Sequence, residues 1–197
     1  MYRYDYLCRM NTINKVLRNA SILTTIILVL FFGLYVTYST NGAISSKDYY
    51  KYSMFICCFI LVPLFALFSF LSIFSVSKYK AKVGKTYEDL LTFKEGFKIG
   101  FYTMFIAGFV SLAVIFIFFN TAGIMAQDAL KEGILDTFMA NMDTEQAKVI
   151  EQSRKEPEIM KVNLFSFKYF FGALSMFLSF YMAISAMFAQ FLKKRVF

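Results

Sequence analysis

Four runs of this chain, at 19–46, 52–77, 99–127 and 169–192, contain no Asp, Glu, Lys or Arg. Each is longer than twenty residues and rich in Phe, Leu, Ile, Val and Met. About 20 such residues, wound as a helix, cross a hydrocarbon layer of roughly 30 Å. Backbone groups in lipid find no water, so each run must close its hydrogen bonds within itself. The expectation is an all-α, polytopic membrane protein: a four-transmembrane-helix bundle with spans at about 19–40, 53–77, 99–122 and 165–192. A single membrane domain over 1–197 follows, because the remainder is too short and too broken up to build a second core. The first run lacks a clear small-residue cleavage signal and reads as a retained helix.

Loop charges orient the chain. Arg3, Arg9, Lys15 and Arg18 precede the first span, Lys78, Lys80, Lys82, Lys85, Lys94 and Lys98 lie between the second and third, and Lys193, Lys194 and Arg195 follow the fourth. The loop at 121–163 instead holds five cations against eight acids. Cations are retained in the cytoplasm, so both termini and the middle loop are expected there. The net charge of +8 is thereby assigned to topology and lipid headgroups, with no nucleic-acid partner. Lys78, Lys80, Lys82, Lys85, Lys193, Lys194 and Arg195 are the expected contacts to anionic lipid.

Local signals refine this outline. Pro63 lies inside the second run and takes away the donor that the Phe59 carbonyl would normally meet, which predicts a kink. Thr86 and Asp89 read as a helix start, leading through Leu90, Leu91, Phe93 and Phe97 along the headgroup plane. In the loop at 123–163, Leu130, Ile134, Phe138 and Met142 recur every four residues between acids and a lysine. That spacing predicts an amphipathic helix whose stripe covers the bundle or dips into lipid, or else serves as an outer docking stripe for a partner. Asp143 offers a second helix start and Pro157 a stop, which completes an extracytoplasmic helical hairpin.

Small residues form two stripes. Gly172, Ser175, Ser179, Ala183 and Ala186 step along the fourth run at helical spacing, and Gly96, Gly100, Ala107, Gly108 and Ser111 along the third. Such stripes let backbones approach, either inside one bundle or against another subunit.

Chemistry is sparse. The chain has no histidine, no phosphate-binding glycine loop and no nucleophile motif, and the interiors of its spans carry no ionisable group except Cys and Tyr. No catalytic, cofactor or metal residue is expected. Cys57 and Cys58 are adjacent, without a His or acid to complete a zinc site, and read as packing residues. Tyr35, Tyr102 and Tyr181 are notable polar groups within spans, whose hydroxyls would anchor at the interface, bond across helices or serve a ligand. Two functions stand. One is a non-catalytic accessory or scaffold subunit, packing against itself or another membrane protein. The other is a binder or translocator of lipid or a small neutral solute, which requires a polar cavity beside Tyr102 or Tyr181.

The segment from Tyr87-Glu88 through Phe93-Lys94-Glu95-Gly96-Phe97-Lys98-Ile99-Gly100-Phe101 resembles the bacterial family known as domain of unknown function 4199. Members share the Phe-x-x-x-Phe-Lys-x-Gly-Phe entry to the third span, the four-helix layout, a charged helical loop and a basic tail. Here Pro157 comes earlier than the family's Asn-Pro, and Asn163 is followed by Leu164. The resemblance implies a bacterial inner-membrane protein with no catalytic residues. It also implies a companion of envelope-building enzymes, including membrane glycosyltransferases.

Overall fold

The computed structural model describes residues 2–41, 44–83, 90–140 and 165–194, and among these there is helix but no strand. In chain order the helices are α1 (Tyr2–Asn41), α2 (Ser46–Phe55), α3 (Val62–Val83), α4 (Phe93–Asn120), α5 (Ile124–Met139) and α6 (Phe167–Leu192). A π-helical segment, Ile56–Leu61, joins α2 to α3 without a break. Four stretches are long and apolar enough to span a membrane: Thr12–Thr40, Ser46–Val83, Phe93–Asn120 and Phe167–Leu192. Only 17, 11, 22 and 11 % of their apolar windows are buried inside the protein. Hydrophobic helices that bury so little of themselves are made for lipid rather than for a water-soluble core.

The second stretch shows how a proline is absorbed. Pro63 cannot donate to the Phe59 carbonyl, and the backbone widens into the π-helical turns at Ile56–Leu61 just upstream. The helix also begins earlier than the apolar run. Ser45 caps it, accepting from the Asp48 amide at 3.1 Å and donating to the Asp48 carboxylate at 2.7 Å. Cys57 and Cys58 lie in the π segment and are exposed, so they do not pack inside the protein.

The chain forms two compact units. Unit 1 comprises Met1–Ile27, Leu61–Leu112 and Gly172–Phe197. Its core brings Ala20, Leu23 and Ile27 of α1 against Phe65 of α3, Met104 and Ala107 of α4, and Tyr181 of α6. The small residues of α4 make this approach possible. A Cβ at Gly96 would meet Ala189, one at Gly100 would lie 2.7 Å from Ser69 Oγ and 3.2 Å from Ser185 Oγ, and one at Gly108 would collide with the Tyr181 hydroxyl. The α4 stripe is therefore an internal seam.

Unit 2 comprises Leu28–Ile60 and Ala113–Phe171. Tyr49, Phe119, Ala126 and Ala129 form its core. The Phe119 ring stacks on Phe165 at 3.8 Å, and Asn120 Nδ2 donates to the Phe165 carbonyl at 3.0 Å. Helix α5 packs on α2 through small residues: Gly133 lies against the Ser46 carbonyl and the Tyr50 Cβ. Ser46 Oγ donates to Glu132 at 3.0 Å across the same contact.

Helix α5 is the first arm of the expected loop structure, but its buried face differs from the expected one. Ala126, Gln127, Ala129 and Gly133 are buried, Leu130 and Ile134 are half-buried, and Phe138 is exposed. Close packing on α2 selects the small side chains, and the larger ones fall to its flanks. Met142 and the second arm, from Asp143 to Pro157, lie outside the described residues.

Candidate functional site

Unit 1 contains a cavity of about 620 Å³. Helix α1 supplies Thr12, Ile13, Val16 and Leu17, which share one helical face. Helix α4 supplies Glu95, Lys98, Ile99, Tyr102 and Ile106, again a single face at three- and four-residue steps. Val76 and Lys80 of α3, one turn apart, and Leu91 complete the wall. Along both α1 and α4 the lining changes from polar to apolar in the chain direction: Thr12 to Leu17 on one, Glu95 to Ile106 on the other. One end of the cavity is charged and the other greasy.

The charged end is built around the first turn of α4. Thr92 and Glu95 form a capping box. Thr92 Oγ1 accepts from the Glu95 amide at 3.3 Å, and Glu95 Oε2 accepts from the Thr92 amide at 3.0 Å. The other carboxylate oxygen takes Lys80 Nζ at 2.8 Å. Lys80 is thus spent on a partner inside the protein, with a side chain only 15 % exposed. Of the other expected lipid contacts, Lys78, Lys82, Lys193 and Lys194 are exposed, and Lys85 and Arg195 lie outside the described residues. Lys98 also lines the cavity; it is exposed, and no hydrogen bond or ion pair engages it among the described residues.

Leu90 and Leu91 were expected in the headgroup plane but are buried, at 6 and 1 % exposure. The end of α6 holds them there. Lys194 takes a left-handed backbone, φ 51°, and turns its amide to the Leu91 carbonyl at 2.9 Å. Ser77 Oγ donates to the Leu192 carbonyl at 3.4 Å nearby. Phe93, at 43 % exposure, does face outward. The expected helix start at Thr86 lies outside the described residues.

Beyond Val16, α1 carries Asn19, a buried polar residue that a search for charges passes over. Its Nδ2 donates to Ser72 Oγ of α3 at 2.8 Å. One turn before its apolar segment, Lys15 Nζ donates to the Ser75 carbonyl at 3.0 Å and lies 4.8 Å from the Tyr79 ring centre. Ser69, Ser111 and Ser185 are buried, and their hydroxyls have no hydrogen-bond partner among the described residues. The tyrosines separate. Tyr102 lines the cavity and is 49 % exposed. Tyr181 is buried in the unit 1 core, its ring tilted against Phe65 with the centroids 5.1 Å apart. Tyr35 packs edge-on against Phe118 in unit 2.

The α6 stripe lies on the outside. Gly172, Ser175, Ser179 and Ala183 are exposed and Ala186 half-buried, whereas Tyr181, Ser185, Ala189 and Leu192 face inward. A Cβ at Gly172 would meet nothing within 4 Å. Among the described residues, therefore, Gly172, Ser175, Ser179 and Ala183 do not form a seam with the other helices. No three His, Cys, Asp or Glu side chains converge among the described residues.

These features define an all-helical, multi-pass membrane protein with an amphipathic cavity in one of its units. The chain matches the family of proteins of unknown function DUF4199 over residues 19–194 and belongs to it. No curated protein and no solved structure matches it.

Proposed function

We propose that this chain is a non-catalytic membrane protein whose working site is the unit 1 cavity, and that it binds an amphiphile, a lipid or lipid-like molecule. The observation that carries this is the common polarity gradient of α1 and α4, ending in Lys80, Glu95, Lys98 and Tyr102 at one side and Val16, Leu17 and Ile106 at the other. A volume of about 620 Å³ lies within the roughly 300–1,000 Å³ of ligand-binding cavities. Ile13 and Leu17 are 50 and 47 % exposed, so the α1 wall leaves room for a chain to enter from the bilayer. The loop charges support a bacterial inner-membrane location with both termini cytoplasmic, which puts the charged end at the cytoplasmic face. Native mass spectrometry on protein released gently from its membrane tests the reading. The wild type should retain one lipid that Leu17→Trp, which fills the cavity, loses while remaining folded. Equal lipid retention by both proteins would count against the cavity.

The outward stripe of α6 favours a second reading compatible with the first. Gly172, Ser175, Ser179, Ala183 and Ala186 offer a face on which another membrane helix can pack closely. In that role the chain is an accessory or scaffold subunit, joined to a copy of itself or to an envelope enzyme such as a membrane glycosyltransferase. Mass measurement in mild detergent tests it: a monomer without a co-purifying protein argues against this second role.

A further inference from the structure

Among the charged groups lining the cavity, the balance is unequal. Lys80 and Glu95 neutralise each other at 2.8 Å, and Glu95 is further held by the amide and hydroxyl of Thr92. Lys98 is left as a surplus cation, with no hydrogen bond or ion pair among the described residues. Tyr102, one helical turn along the same wall, adds a hydroxyl donor. An ammonium and a phenol one turn apart, at the edge of an apolar chamber, are suited to an anion that carries a hydrocarbon chain.

We propose that the cavity selects an anionic lipid, with Lys98 Nζ binding the headgroup phosphate, Tyr102 supporting it, and an acyl chain lying along Val16, Leu17 and Ile106. The proposal rests on the amphiphile-binding reading and narrows it to a ligand class. It differs from general attraction between surface lysines and acidic lipid, which is worth about 1 kcal/mol per residue and does not depend on position around the helix. Lys94 provides the comparison. It is exposed on the same helix, one turn before Lys98, and does not line the cavity. A charge-assisted bond beside an apolar wall makes Lys98 the stronger determinant.

The test uses the full chain in nanodiscs of zwitterionic lipid, doped with a phosphatidylglycerol or a phosphatidylcholine that carries a photoreactive group in its acyl chain. Crosslinks are mapped by peptide mass spectrometry. Labelling around Leu17 and Ile106 is compared with that at Leu67 and Met182, exposed apolar residues of the same unit that lie outside the cavity. Wild-type cavity labelling should favour the phosphatidylglycerol probe. Lys98→Gln should reduce that preference roughly tenfold, while Lys94→Gln keeps it. Labelling at Leu67 and Met182 should stay constant throughout and reports that the variants are folded. Inorganic phosphate, added at constant ionic strength, should leave the labelling unchanged, because the chain contributes to binding.

Equal labelling of the cavity by both probes in the wild type overturns the anionic selectivity and leaves the amphiphile site standing. Cavity labelling no greater than that at Leu67 and Met182 overturns the amphiphile site itself. Equal losses from Lys98→Gln and Lys94→Gln reduce the effect to surface charge and overturn the role of Lys98. Displacement of the probe by phosphate alone overturns the assignment to a lipid.

Discussion

Gly108 and Gly172 are the same residue in two apolar helices, yet a methyl group has opposite consequences at the two sites. At Gly108 it overlaps the hydroxyl of Tyr181, a side chain that is itself buried at 2 % exposure and has little room to move. Overpacking of this kind costs about 1–3 kcal/mol. At Gly172 the added Cβ enters open space, and alanine is the better helix former by up to about 1 kcal/mol. Thermal unfolding in detergent should show Gly108→Ala clearly destabilised and Gly172→Ala unchanged or slightly stabilised; equal losses would contradict this placement of the two stripes. Asn19 makes a second residue-scale case. Its bond to Ser72 joins α1 to α3, and hydrogen bonds between membrane helices contribute about 0.6 kcal/mol on average, with a maximum near 1.7. A double-mutant cycle with Asn19→Leu and Ser72→Ala should return a coupling in that range, and zero coupling would show that the pair does not form. Charged residues alone do not mark Asn19 or the serines around it, because these neutral side chains leave the run apolar. An Asn in an apolar run was the available signal, since a buried amide needs a partner.

At the scale of elements, the start of α4 decides the shape of the cavity. Thr92 and Glu95 close its first turn, and Glu95 in turn holds Lys80. Thr92→Ala should cost about 1 kcal/mol by removing the cap. It should also raise amide exchange at residues 93–96, whereas Thr92→Ser should preserve protection there. Unchanged exchange in the alanine variant would remove the cap from the account. The Thr-x-x-Glu pattern is legible in the sequence, but Thr86 with its acidic first turn offers an equally good helix start. The direction of α6 was not legible. In lipid the contrast between a helix's faces does not fix which stripe turns inward, and Tyr181, Ser185 and Ala189 recur as regularly as Gly172, Ser175 and Ser179. Close contact with Gly96, Gly100 and Gly108 selects the former set, and that contact exists only once two helices have met.

For the molecule as a whole, the number of spans was legible because it rests on a single large term: four charge-free runs leave no alternative in lipid. The cavity was not, since it depends on how far apart α1 and α4 stand, and the sequence supplies only the residues that line the gap. The sequence supports the requirement for a polar cavity beside Tyr102 or Tyr181 but does not place that cavity. The orientation proposed from the loop cations has its own test. With Cys8, Cys57 and Cys58 replaced, single cysteines introduced as Thr144→Cys and Lys82→Cys are probed with an impermeant thiol reagent on intact cells. Only the cysteine at position 144 should react; reaction at 82 with protection at 144 would invert the topology and move the charged end of the cavity to the opposite leaflet. The central claim, that unit 1 holds a lipid between α1 and α4, is tested most directly by an experimental density map of the full chain in a lipid nanodisc. The map should show an elongated feature running from Lys98 and Tyr102 past Leu17 toward Ile106, with its broader end at the lysine. A gap closed by the side chains of α1 and α4, or one without elongated density, would contradict the claim.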